Sequence, residues 1–199
     1  MSKHRDIIER ILAVPLNNGR RIIALVGGPA SGKSTLSAKL QNGIPNSCVV
    51  PMDGFHRDND DLERHGLLAR KGAPKTFDVN DFVSIIKALR NEGEVSFPTF
   101  DRANDCVVPD NGTVTPSDTT IIVEGNYLLL NVAPWDELAE MWDFSISLDV
   151  PLGMLQSRLI TRWLKHGHSA EEATQRALAN DIPNAKFVLE NSKAADLVV

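Results

Sequence analysis

The segment Gly27-Gly28-Pro29-Ala30-Ser31-Gly32-Lys33-Ser34 fits the pattern G-x-x-x-x-G-K-[ST], and Thr35 opens a helical pattern directly behind it. Glycines at these positions let the backbone curl until successive N–H groups converge on phosphate oxygens, and the helix that follows adds its N-terminal partial positive charge. Residues Gly27, Gly28, Pro29, Ala30, Ser31, Gly32, Lys33, Ser34 and Thr35 are therefore expected to hold the phosphates of ATP. Lys33 should reach the β- and γ-phosphates and the Ser34 hydroxyl should ligate Mg²⁺. The dinucleotide pattern G-x-G-x-x-G is absent. A second chemical signal is Asp53, which ends the apolar run Val49-Val50-Pro51-Met52 and precedes Gly54. A carboxylate there could orient a substrate hydroxyl and accept its proton. Asp53-Gly54 also suits a plain turn, so two readings stand.

These groups need a scaffold that brings loop ends together. Arg21 to Val26 is a short apolar run without polar alternation, as expected of a parallel strand covered on both faces, and 48–52, 120–123 and 144–150 read similarly. Helical patterns lie between them near 34–41, 79–91, 151–165 and 170–180, and Ile7, Ile8, Ile11 and Leu12 give the first dozen residues one apolar face. Such alternation implies right-handed βαβ units: an α/β fold of the P-loop NTPase type, a doubly wound, mainly parallel sheet with helices on both faces. Ligands then bind beyond the carboxyl ends of the strands. Stretches 54–78 and 96–118, rich in Gly, Pro, Asp and Asn, read as loops near that crevice. Asn17-Asn18-Gly19 marks a turn.

Bulk properties narrow the class of partner. At 199 residues, with no internal repeat or long linker, a single domain over 1–199 is expected. A net charge of −5 argues against nucleic acid as the main partner. Cys48 and Cys106 lack a CxxC spacing and read as buried free thiols of a reducing cytoplasm. Glu9 and Arg10 break the apolar stretch that a signal peptide would need, and Glu124, Gly125 and Asn126 interrupt the run 121–130, so neither export nor membrane insertion is expected. Oligomeric state is not legible in the sequence.

Taken in order, Gly27 to Thr35 (GGPASGKST), Asp53 to His56 (DGFH), Gly72 to Asp78 (GAPKTFD), Phe97 to Arg102 (FPTFDR), Ile121 to Gly125 (IIVEG) and the helix with Arg158 and Arg162 resemble the P-loop kinases that include uridine kinase, bacterial pantothenate kinase and phosphoribulokinase. The resemblance spans nearly the whole chain and is closest to a branch labelled as kinases of fructose transport systems. It implies an ATP- and Mg²⁺-dependent kinase acting on a small-molecule hydroxyl. It also implies that Asp53 serves as catalytic base, that Glu124 lies near Mg²⁺ and substrate, and that a small helical lid carries Arg158 and Arg162 to the transferred phosphate. His56 stands where uridine kinases tend to carry Tyr, a departure that bears on nucleoside specificity. Arg102 reads either as a substrate contact or as a partner of Asp101, and Asp78 either as a helix cap paired with Asp81 or as a substrate contact. Segments 180–185 and 191–196 resemble the family's closing helix and adenine-side loop, and Lys75 reads as solvated.

The competing class is a nucleotide-dependent switch or regulatory ATPase. Against it, N-K-x-D and D-x-x-G are absent. Among kinase acceptors, one Tyr, three Trp and seven Phe leave few rings to stack a nucleobase, which tilts the reading toward a sugar or other polyol, with nucleoside and pantothenate-like acceptors open.

Overall fold

The computed structural model describes residues 3–91 and 93–199; Met1 and Ser2 of the N-terminal helical pattern, and Glu92, lie outside the described residues. Helix α1 (Lys3–Ala13) leads through the Asn17–Arg20 turn, where Asn18 and Gly19 take positive φ, into β1 (Arg21–Gly27). Then come α2 (Lys33–Gly43), β2 (Ser47–Pro51), α3 (Asn59–Arg64), α4 (Val79–Asn91) and a hairpin of β3 (Val95–Asp101) and β4 (Cys106–Val114). The chain continues through β5 (Thr120–Gly125), β6 (Phe144–Leu148), α5 (Leu152–Lys165), α6 (Ala170–Arg176), α7 (Ile182–Asn191) and β7 (Leu197–Val198).

The main sheet has the order β2-β5-β1-β6-β7 with every pairing parallel. Alternation along β1 shows why these runs are apolar throughout. Ile22, Ala24 and Val26 join Phe82, Ile86 and Trp135 on one face, while Ile23 and Leu25 join Ile7, Ile11, Leu36 and Leu40 of α1 and α2 on the other. A third cluster, Leu155, Leu159, Ala177, Ile182 and Ala185, holds α5 to α7 together as a helical cap over the phosphate loop. At about 25 cal/mol per Å² of apolar surface removed from water, this two-sided burial is the main term that favours the sheet.

Three sequence readings need correction. The stretch 96–118 is not loop: it holds most of the antiparallel hairpin β3–β4, with a register shift between Phe97 and Thr99. The stretch 54–78 contains α3 and short 3₁₀ turns. The helix read over 170–180 instead runs from α6 through a π-turn at Ala177–Asp181 into α7. Pro183, which has no N–H to donate, sits in the first turn of α7 directly after the π-turn. The thiols are free as expected but not both buried: Cys48 is half-buried, with its pKa pushed up to about 11 chiefly by burial, and Cys106 is exposed.

Candidate active site

Gly27 ends β1 at the carboxyl edge of the sheet, and the phosphate loop curls over that edge. A Cβ at Gly27 would lie 2.6 Å from Ser31 Oγ, and one at Gly28 would lie 3.1 Å from Leu155 and 3.4 Å from Ala185, so the loop packs closely on itself and on the helical cap. Gly32, at φ 102°, is the N-cap of α2 and offers no side-chain cap, which leaves the first N–H groups of that helix available to an anion. The Lys33 ammonium donates to Gly27 O at 3.0 Å, Gly28 O at 3.1 Å and Asn126 Oδ1 at 2.7 Å. Ser34 Oγ donates to Glu124 Oε1 at 2.9 Å. Sheet register explains that meeting, because Glu124 stands on β5 between Leu25 of β1 and Pro51 of β2.

Electrostatics shows what this pair lacks. Burial lowers the Lys33 pKa despite the favourable charges of Glu124 and Asp53, and burial raises that of Glu124 despite Lys33 and the Ser34 hydrogen bond. In both, desolvation outweighs mutual attraction, so the lysine is short of negative charge and the carboxylate short of positive charge. A triphosphate with a divalent cation supplies both. A hydroxyl and a carboxylate are also the hard oxygen donors that Mg²⁺ prefers.

The opposite wall is built from the chain after β2. Asp53 lies in a 3₁₀ turn, Met52–Phe55, pressed so tightly on the hairpin that a Cβ at Gly54 would lie 1.9 Å from Pro98 O. Of the two readings of Asp53-Gly54, the turn is real, and it is also what aims the carboxylate into the cavity. Asp53 is half-buried and paired with Arg102. Arg102 therefore does not pair with Asp101, whose carboxylate instead accepts from the Ala103 and Asn104 amides at 2.8 and 3.1 Å. His56 packs against Phe77 and Phe100, with ring centroids 4.1 and 4.8 Å away. Its pKa is lowered, chiefly by burial, so the ring is neutral; Nδ1 lies 2.8 Å from Asp53 O and donates there, which leaves Nε2 as an acceptor.

From the cap, Arg162 and Trp163 of α5 reach a cavity of about 1390 Å³ that also opens onto Lys33, Asp53, His56, Arg102 and Glu124. Arg158 departs from the reading that both arginines face the transferred phosphate. Its Nη1 donates to Ala30 O and Ser31 O at 3.3 and 3.2 Å, so it braces the phosphate loop instead. Asp78 resolves as a cap, accepting from Asp81 N at 3.0 Å, and Lys75 is exposed. Lys71, Asp105, Asn59 and Asn126 line the same cavity and were not singled out in the sequence, and Asp181, which also lines it, falls in the segment 180–185 that resembles the family's closing helix. Lys71 bonds Asn59 Oδ1 at 2.6 Å and Asp105 Oδ1 at 2.9 Å and lies over the Phe100 ring. Asn126 had a nearby signal, two residues after Glu124 at the end of an apolar strand.

A parallel sheet with a phosphate loop at its central strand, a carboxylate on the neighbouring strand end and a basic helical cap define a P-loop kinase of small molecules. The chain belongs to the phosphoribulokinase / uridine kinase family, whose profile matches residues 22–199, and it acts as a phosphotransferase on an alcohol group. It is 42% identical to, and superposes over 100% of both chains with a TM-score of 0.95 on, a protein of Silicibacter sp. TM1040 designated "putative fructose transport system kinase". It is 36% identical to the "Uncharacterized protein YggC" of Escherichia coli over 98% of this chain and 85% of that one. It is 34% identical to the "Putative uridine kinase C227.14" of Schizosaccharomyces pombe over 100% of this chain and 91% of that one.

Proposed function

We propose that this chain, acting as one domain in the cytoplasm, transfers the γ-phosphoryl group of ATP to a hydroxyl of an uncharged sugar or related polyol, with fructose the leading candidate. The observation that carries this reading is the pairing of charges at the acceptor end. Asp53 is matched by Arg102, and Lys71 by Asp105. Each couple offers one acceptor and one donor to neighbouring hydroxyls, whereas an anionic acceptor would call for a cation without a partner carboxylate. The Phe77 and Phe100 rings are already packed on His56, which argues against stacking a nucleobase. The Silicibacter designation points the same way.

In this reading the acceptor hydroxyl donates its hydrogen bond to Asp53, and Arg102 holds that carboxylate in place. As the acceptor oxygen bonds to phosphorus and the bond to the ADP oxygen breaks, the hydroxyl proton passes to Asp53. Lys33 and the N-terminus of α2 stabilise charge on the phosphates, and Arg162 meets the phosphoryl oxygens from the cap. Mg²⁺ held by Ser34 and Glu124 would neutralise β- and γ-phosphate charge. Among the described residues no helix is long and apolar enough to cross a membrane.

Coupled ADP release, screened over hexoses, pentoses, nucleosides and pantothenate, tests the assignment. A hexose or polyol should raise turnover at least about a hundredfold over ATP alone, the scale that an oriented nucleophile provides. Response to nucleosides or pantothenate only would overturn the acceptor class, and turnover indifferent to every acceptor would favour a regulatory ATPase.

A further inference from the structure

The run from Ala170 to Asn191 is helical throughout, and Arg176, Ala177, Asp181 and Ile182 all keep right-handed helical φ and ψ across the π-turn Ala177–Asp181. A π-turn inserts an extra residue and shifts the face on which side chains emerge; such insertions concentrate at functional sites. Here Ala177, Ile182 and Ala185 stay in the apolar seam with Leu155 and Leu159, while Asn180 and Asp181 line the cavity.

These two residues make different attachments. Asp181 Oδ2 accepts from Trp163 Nε1 at 2.8 Å, one residue beyond Arg162 on α5. Among the described residues no cation lies within 4.0 Å of its carboxylate, and burial raises its pKa although Arg162 and Arg176 favour the charge. A desolvated carboxylate held mainly by an indole is a costly way to fix a tryptophan. The benefit appears at Arg162, where burial and Arg102 oppose the guanidinium charge and Asp181 is the foremost group supporting it, ahead of Asp53. Asn180 Nδ2 meanwhile donates to Lys71 O at 2.8 Å, and Arg70 Nη1 donates to Ala179 O at 3.3 Å. The segment it grips is the one whose Lys71 side chain holds Asp105 and Asn59 at the acceptor end.

We propose that Asp181 is a positioning residue that aims Arg162 at the transferred phosphoryl group, and that Asn180 beside it ties this aim to the acceptor-side loop 70–72. The inference rests on the kinase reading of the cavity. Asp181 touches no reacting atom; it acts through Trp163 and through its charge on Arg162. The π-turn is what allows adjacent residues to clasp both sides of the cavity.

The test uses the full chain, with MgADP alone and MgADP plus aluminium fluoride, a mimic of the phosphoryl group in flight. Wild type should bind the mimic at least about tenfold tighter than ADP alone. Asp181→Asn keeps an oxygen for Trp163 Nε1 but removes the charge; it should forfeit most of that gain while ADP affinity stays within about twofold. In an Arg162→Ala background it should add less than about twofold, because residues acting through one another are non-additive. Asn180→Ala should loosen acceptor binding, read as a severalfold rise in acceptor KM with ATP KM unchanged. If thermal unfolding shows Asp181→Asn to be misfolded, Trp163→Phe, which removes the hydrogen bond that holds the Asp181 carboxylate, should show part of the same loss. A full gain retained in Asp181→Asn, or independent multiplying losses in the double variant, would overturn the proposal alone. A wild type that gains nothing from aluminium fluoride, or an Arg162→Ala that keeps the gain, would overturn the kinase reading of the cap and this proposal with it.

Discussion

Replacing Gly54 by alanine tests whether the turn that carries Asp53 is clamped by the hairpin. The added Cβ would lie 1.9 Å from Pro98 O, 2.6 Å from Pro98 C and 3.1 Å from Thr99 Cα, where ordinary contact begins at 3.4 Å. All three atoms are backbone, at the register shift of a paired strand, so no side chain can swing away to make room. The turn must lift by about 1.5 Å relative to Pro98 or the hairpin must give way, an overpacking strain of about 1–3 kcal/mol. At this chain length each kcal/mol lowers Tm by about 2–4 °C. Asp53 moves with its neighbour, and a misplacement of about 1 Å costs on the order of a hundredfold in rate. Steady-state ADP release at saturating ATP should show that fall in kcat, while ATP affinity, set on another loop, changes by less than about threefold. A Gly54→Ala protein with wild-type Tm and kcat within about threefold would show that the turn is not clamped and that its glycine has no part in placing Asp53.

Lys33→Ala should lower kcat by at least about a hundredfold with any acceptor while circular dichroism matches wild type, since the lysine meets charge at the phosphates and lies outside the apolar core. Arg158→Ala and Arg162→Ala should separate: the first, which braces Ala30 and Ser31, should mainly raise the ATP KM, and the second should mainly lower kcat, as steady-state kinetics will show. Glu124→Gln should abolish most turnover yet raise Tm at neutral pH. Its carboxyl pKa is raised in the folded protein, so wild type loses stability as pH climbs from the ordinary value of 4.5 through the raised one, whereas the glutamine does not. Unfolding curves of the two proteins should converge below pH 4.5 and diverge above it, and divergence in the opposite sense would show that Lys33 outweighs desolvation.

The phosphate loop was legible because its chemistry is local: eight consecutive residues between a strand and a helix define it. The four main strands were legible because burial on both faces leaves uninterrupted apolar runs. The hairpin was not, because β4 is largely exposed and carries Pro109, Asp110, Asn111 and Gly112, residues that read as turns. Gly112 is there because the Phe97 ring crosses its backbone, with ring atoms 2.3 Å from where a Cβ would stand, a requirement no sequence window displays. Asn126 on Lys33, Arg102 on Asp53 and Asn180 on Lys71 join residues 49 to 109 positions apart, so their partnership exists only in the fold. Arg158 and Arg162 share a helical spacing, yet what each one meets depends on where α5 lies over the loop. Asp78 and Asp81, by contrast, form a cap within one turn, and their spacing had already offered the cap as one of two readings.

The most direct test of the central claim, that Asp53 turns a phosphate loop into a kinase, is acceptor-dependent turnover and ATP affinity measured on one preparation of Asp53→Asn. Asparagine keeps the size and turn preference of the native residue but cannot take the hydroxyl proton. Turnover should fall by about a hundredfold or more with ATP affinity nearly unchanged and no rescue by added Mg²⁺. Wild-type turnover, or a loss of ATP affinity that raised Mg²⁺ restores, would contradict the account and assign Asp53 to the turn or to the metal instead.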